Sequence, residues 1–242
     1  MTTQTEIPPT RPSSTVVLAR DSERGPEFFM VRRPVRAAFG AAYVFPGGVV
    51  DASDAEVTSF CAGVDAGTAE QRLQLSDAAI DYYVAAVREL FEETGVLLAQ
   101  TAADVVCLDD CRRRINEGTL GWPEFLTQQG VTLQLETLAY FSHWITPTVR
   151  PKRFTTRFFV AELPAGQVAE HDPGELTDSR WTTAAEALEA AEQGDIDLRP
   201  PTAWTLESLS KHDRVAAIMD WARQREANGV ETIRPVLPPE PN

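Results

Sequence analysis

No stretch of the 242-residue chain is apolar for long enough to span a bilayer, and the opening, MTTQTEIPPTRPSST, lacks the apolar core of a secretory signal. These absences exclude a spanning helix from the reading and make a cytoplasmic protein the expectation. Cysteine is scarce. Cys61, Cys107 and Cys111 cannot all pair with one another, and a chain of this length needs no disulfide framework. Cys107 and Cys111 stand one helical turn apart, but no histidine or further cysteine lies nearby, so they are read as helix packing rather than a metal clip. Positive charge is also short: 22 Lys and Arg against 36 Asp and Glu leave a net charge of -14. That balance disfavours nucleic acid and membrane surfaces as partners, because both are anionic. A small anionic ligand stays open wherever cations gather locally.

The composition that remains, 43% hydrophobic and 24% charged, is that of a globular chain with a substantial core. STVVLAR and EFFMVRR are β-branched and aromatic runs separated by the polar DSERGP, which predicts two strands and a turn. AAYVFPGGVVD is a short apolar run broken by Pro-Gly-Gly. Residues 52–76 are small and polar and read as an insertion with partial helix. A helix over 77–94 follows, with Ser76 or Asp77 as N-cap and Gly95 as its left-handed stop. Residues 101–130 form a helical excursion. Strands return at LAYFSHWIT, TTRFFVAEL and LTDSRWTT, and three helices close the chain. The order suits α/β or α+β layering around one sheet. The expected organisation is a tail over 1–13, one domain over 14–228 and an extended tail over 229–242.

The helix over 77–94 carries the chemistry. Ile80, Val84, Val87 and Phe91 share the stripe that faces the sheet, which puts Glu89, Glu92 and Glu93 on an outer face. Outer faces are where glutamates ordinarily belong. Yet this helix has no lysine and only one arginine, Arg88. Glu89 and Glu93 are like charges four residues apart, and both lie near the C-terminal end, where the helix dipole also disfavours anions. Selection for helix stability alone would avoid the arrangement. A hard divalent cation would reverse its sign, since oxygen ligands on successive turns can converge on one ion.

Gly47 and Gly48 followed by RELFEETGV at Arg88–Val96 resemble the Nudix box, G-x5-E-x7-R-E-U-x-E-E-x-G-U with U aliphatic. The second half matches at every fixed position. In the first half Asp54 stands where the pattern has Glu, and 33 residues rather than seven separate it from Arg88. An insertion of about 26 residues therefore interrupts the box, and Asp54 either stands in for the acid or leaves the position unused. The interruption, with WITPTVRPKRFTTRFFVAEL and ELTDSRWTTAAEAL downstream, resembles the Nudix branch that includes a peroxisomal coenzyme A diphosphatase; the likeness runs from about Ser14 to Leu209. The ending PPEPN is not a peroxisomal signal.

The resemblance implies a Nudix-type α/β/α sandwich around a mixed sheet, with helical insertions and extra C-terminal helices. It implies hydrolysis of a nucleoside diphosphate linked to a group X, with Mg2+ or Mn2+. Glu89, Glu92 and Glu93 would be the metal ligands, Glu89 the favoured base, and Arg88 the orienting partner of the carboxylates. Gly47 and Gly48 would let backbone approach a phosphate, and Glu175 would be a further acid from a downstream loop, with Asp172 and His171 as neighbours able to do similar work. Arg32, Arg33 and Arg36, and the group Arg150, Lys152, Arg153 and Arg157, are candidates to hold substrate phosphates. Phe39, Tyr43 and Phe154 are candidates to stack a base. The expected partner is a small nucleotide-type molecule, with coenzyme A or its acyl esters in front. ADP-ribose, dinucleotides and nucleotide sugars, or a non-catalytic nucleotide-binding module, are the alternatives. A homodimer is left open.

Overall fold

The structure is a computed structural model that describes residues 7–34, 41–101 and 108–235. Arg36, Phe39 and Cys107 lie outside the described residues. The chain opens with β1 (Thr10–Ser22), β2 (Gly25–Arg32), β3 (Tyr43–Val44) and β4 (Gly47–Val49), then a 3-10 helix over Ala52–Phe60 and β5 (Cys61–Ala62). Next come α1 (Ala66–Leu73), α2 (Ala79–Thr94), β6 (Ala99–Thr101), α3 (Leu108–Asn116), α4 (Trp122–Gln129) and β7 (Val131–Gln134). The closing half holds β8 (Ala139–Ile145), β9 (Arg153–Glu162), β10 (Asp178–Thr183), α5 (Ala184–Glu192), α6 (Pro200–Leu209), α7 (Val215–Asn228) and β11 (Thr232–Ile233).

One mixed sheet runs β10-β2-β1-β9-β8-β11, with β3 on β2 and β4 on β1. β1 and β9 pair in parallel, while β1–β2 and β8–β9 are antiparallel. Alternation along β1 sends Val16 and Leu18 to the face covered by α2, and Val17 and Ala19 to the face covered by α5, α6 and α7. Both faces are packed with apolar side chains, which makes an α/β/α sandwich and bears out the expected fold class.

Four expectations need correction. β1 starts at Thr10, inside the expected tail, because its first residues pair with Arg153 and Phe154 of β9. α2 starts at Ala79 behind Ala78, whose backbone is left-handed with φ 50°, and no side chain caps it. Burial of Ala79 and Ile80 fixes that start, while Ser76 and Asp77 stay exposed. The insertion and the excursion are tied together: β5 from the insertion pairs with β7, and β6 and β7, which flank the excursion, pair with each other, making a second small sheet. Thr232 and Ile233 of the expected tail pair with His143 and Trp144 of β8. Cys111 is buried in the α2-side core, in keeping with a packing role.

Candidate active site

β4 lies antiparallel on β1, with Gly48 opposite Ser14 and Gly47 opposite Thr15. A Cβ on Gly47 would run into the Ser14 carbonyl, and one on Gly48 would run into the Glu89 carboxylate. Gly47 thus lets β4 lie against β1, at φ 152°, and Gly48 leaves room for the Glu89 carboxylate where it stands. The Gly47 amide donates to Glu93 Oε2 at 2.9 Å. Arg33 Nη2 donates to the Gly47 carbonyl and lies 3.4 Å from Glu93 Oε1.

The carboxylates are therefore not on a solvated outer face. β4 and the 3-10 helix cover that side of α2, so Ala85 and Ala86 are fully buried and Glu93 is 1% exposed. A helix wheel could not show this, because the covering segments come from some 40 residues upstream. Burial pushes the Glu93 carboxyl up to about 8 and that of Glu92 up to about 7. Glu89 is raised as well, first by burial, and Glu175 adds repulsion to both Glu89 and Glu93. Glu175 is exposed on its loop yet faces the cluster electrostatically, while the next residue, Leu176, anchors that loop in the core.

Arg88 uses every N–H it has. Nε and Nη2 reach Asp54 Oδ1 and Oδ2 at 2.8 and 3.0 Å, Nη1 reaches Glu89 Oε1 at 2.9 Å and Glu92 Oε2 at 3.2 Å, and Nη2 also meets the Val49 carbonyl at 2.9 Å. The fork expected to grip the glutamates is thus centred on Asp54, which is fully buried. Asp54 also accepts from the Asp51 amide at 2.7 Å and closes the N-terminal turn of the 3-10 helix. The insertion lengthens the chain between Asp54 and Arg88 without parting them. The clue to this in the sequence was the unchanged six-residue step from Gly48.

The remaining candidates are dispersed. Arg32 points to the opposite sheet face and lines a cavity of about 370 Å³ with Tyr43, Asp178, Arg180 and residues 194–197. Tyr43 is 3% exposed, its hydroxyl donates to Asp178, and Arg180 stacks 4.2 Å from its ring centroid. Arg153 donates to the Thr146 carbonyl at 3.1 Å and the Pro8 carbonyl at 2.6 Å, away from the carboxylates. Arg157 is buried against the Tyr82 ring, Arg150 and Lys152 are exposed, and Phe154 is half-buried, so the basic group forms no single cradle. His171 is held by Ser179 at 2.8 Å.

The pattern of the NUDT19 Nudix domain matches residues 63–209. The chain belongs to this Nudix hydrolase family. The matched span contains α2 and the Glu175 loop but not the glycines or Asp54, which the fold alone brings to them. Among similar proteins, the acyl-coenzyme A diphosphatase NUDT19 of Xenopus laevis is 26% identical over 173 residues, covering 64% of this chain and 46% of the frog protein. The protein of the same name from Gallus gallus is 25% identical over 256 residues, covering 87% and 68%. A crystal structure of a Nudix hydrolase from Alicyclobacillus acidocaldarius superimposes with a TM-score of 0.75 at 25% identity, covering 89% of this chain and 97% of that one. The chain thus spans between about half and two thirds of the length of these two curated relatives.

Nudix hydrolases generally need divalent cations. Among the described residues no three His, Cys, Asp or Glu side chains converge on one point as they stand, since Arg88 draws Glu89 and Glu92 to itself. The donor chemistry nevertheless fits: one buried and two half-buried carboxylates that repel one another are oxygen ligands short of positive charge. No helix among the described residues is long and apolar enough to cross a membrane.

Proposed function

We propose that the chain hydrolyses the diphosphate linkage of coenzyme A or its acyl esters, releasing 3',5'-ADP and phosphopantetheine or its acyl form. The observation that carries the reading is the gathering of three glutamates, all pushed up by burial, at the end of α2, with Glu89 against Gly48 and Glu93 on the Gly47 amide. Glu89, Glu92 and Glu93 would hold Mg2+ or Mn2+. When bound, the cation neutralises the diphosphate oxygens and makes water a better acid.

The chain's own residues then do three things. Glu89 takes a proton from the attacking water, a role suited to a carboxylate whose affinity for protons burial has raised. Water oxygen bonds to one phosphorus, the bridging P–O bond breaks, and the departing phosphate keeps the bridging oxygen and its electron pair. Arg88, anchored on Asp54, keeps Glu89 and Glu92 from swinging apart. Arg33 and the Gly47 amide fix Glu93. Arg32, exposed and without an ion pair among the described residues, is offered to a substrate phosphate from the cavity it lines on the other face of the sheet.

The test is product analysis of the purified chain with Mg2+ and with Mn2+ on coenzyme A, dephospho-coenzyme A, ADP-ribose and a dinucleoside polyphosphate. Release of 3',5'-ADP with phosphopantetheine is the expected result. AMP with ribose 5-phosphate as the dominant products would replace coenzyme A by ADP-ribose, and no cleavage at all would leave a nucleotide-binding module.

A further inference from the structure

The last carbonyls of a helix have no partner inside it, and its C-terminal end attracts positive charge. In α2 these carbonyls belong to the turn that bears Glu92 and Glu93, and each is met from outside. Glu92 O accepts from Arg112 Nε at 2.9 Å and from Asn116 Nδ2 at 3.1 Å, both on α3. Glu93 O accepts from the Asp172 amide at 3.1 Å, and Thr94 O from the Glu170 amide at 2.9 Å. The other arm of the same guanidinium, Arg112 Nη2, donates to Glu170 O at 2.9 Å. One arginine of the excursion therefore spans the end of α2 and the start of the loop that carries Glu175.

Two further features show that the span is built in. Gly95, the last glycine of the box, ends α2 at φ 76°, and a Cβ there would sit 3.2 Å from Arg112 Nη1. Arg113, next in sequence, is exposed and among the described residues pairs with Asp110 of α3 and with Glu117 just past its end. Bridging two carbonyls on separate segments calls for the rigid fork of arginine, which a lysine cannot reproduce.

We propose that Arg112 is a positioning residue for hydrolysis, holding the loop of Glu175 against the last turn of α2 so that Glu175 faces Glu89 and Glu93. This rests on the reading of those acids as one cation-binding cluster. The excursion thereby acquires a role, with α3 clamping the site from behind.

The test compares Arg112→Ala, Arg112→Lys, Glu175→Gln, the Ala/Gln double variant and Arg113→Ala, all well below their melting temperatures. Expected for Arg112→Ala is a kcat about 10-fold lower with KM unchanged and Mn2+ affinity, titrated without substrate, about 10-fold weaker, the scale of losing a group that orients metal ligands. Arg112→Lys falls between, Arg113→Ala matches wild type, and the double variant is no worse than Glu175→Gln. Loss of melting temperature alone, or additive effects of the two single changes, would overturn the proposal. A wild-type chain that cleaves no diphosphate would reject the hydrolase reading separately, while the Mn2+ affinities still decide on Arg112.

Discussion

Two arginines lie buried, Arg88 on α2 at 7% exposure and Arg157 on β9 at 3%, and they are held in opposite ways. Around Arg88 stand three carboxylates, Asp54, Glu89 and Glu92. Around Arg157 there is no ion pair among the described residues: its guanidinium stacks 4.2 Å from the Tyr82 ring centroid, and Nη2 donates to the Leu73 carbonyl at the end of α1 at 3.2 Å. Each region shifts its neighbours accordingly. Burial and Arg157 push His143 down to about 4, so that corner rejects protons, whereas burial pushes Glu92 and Glu93 up, so that corner collects them. A π face and a helix dipole are a fixed environment. A surplus of partly desolvated carboxylates is an unfinished one, which the proposed cation would complete.

The comparison breaks most sharply at Glu93. Glu93→Gln should lower kcat by more than about 100-fold, beyond the loss typical of a group that merely orients a metal ligand, while metal-free stability holds or rises because a buried ionisable group is gone. Steady-state kinetics and thermal melts check both. Arg88→Ala should cost about 3–5 kcal/mol in denaturant unfolding by stranding the buried Asp54 charge, with activity lost as well. Arg157→Met should cost only about 1–3 kcal/mol, the scale of a lost buried hydrogen bond, and should leave kcat and KM unchanged at low temperature. If Arg157→Met abolished activity in a folded protein, the division between the two regions would fall.

The pH dependence sharpens the same contrast. Between the ordinary glutamate range near 4.5 and the folded values of about 7 and about 8, the folded chain binds more protons at Glu92 and Glu93 than the unfolded chain does. Stability of the metal-free protein from these groups should therefore fall as pH rises from 5 to 8. Mg2+ should flatten that fall, with its largest gain in melting temperature at pH 8. The smallest effect is expected at the cavity: Arg32→Ala should raise KM for coenzyme A about 10-fold, the worth of one charge-assisted hydrogen bond, and leave dephospho-coenzyme A unaffected.

Much of this was legible from residue patterns. β1, β2, β8, β9 and β10 each announce themselves by β-branched and aromatic runs, and α2 by its apolar stripe and Gly95. What the patterns could not carry was set by distant chain. Ala78 opens α2 in a left-handed conformation because packing of Ala79 and Ile80 outweighs the caps on offer at Ser76 and Asp77. β5, β6 and β7 are two to four residues long, too short for any periodicity to show, and exist only by pairing with one another. In the site, Glu89, Glu92 and Glu93 were readable as a group, but their burial was not, since it comes from β4 and the 3-10 helix. Asp54 kept its step from Gly48 and lost its step to Arg88, so half its signal survived. Arg112 lies in a helix rich in ordinary surface charge, and nothing in the composition of α3 marks it from Arg113.

The central claim is that the end of α2 is a cation site held in protonated reserve. It is tested most directly by calorimetric titration of Mn2+ at pH 6.5 in two buffers of different ionisation heat, on wild type and Glu93→Gln. The account predicts saturable binding by wild type with release of protons, and both weaker binding and less proton release by the variant. Saturable binding of equal strength and equal proton release in the two proteins, or no binding by wild type, would contradict it.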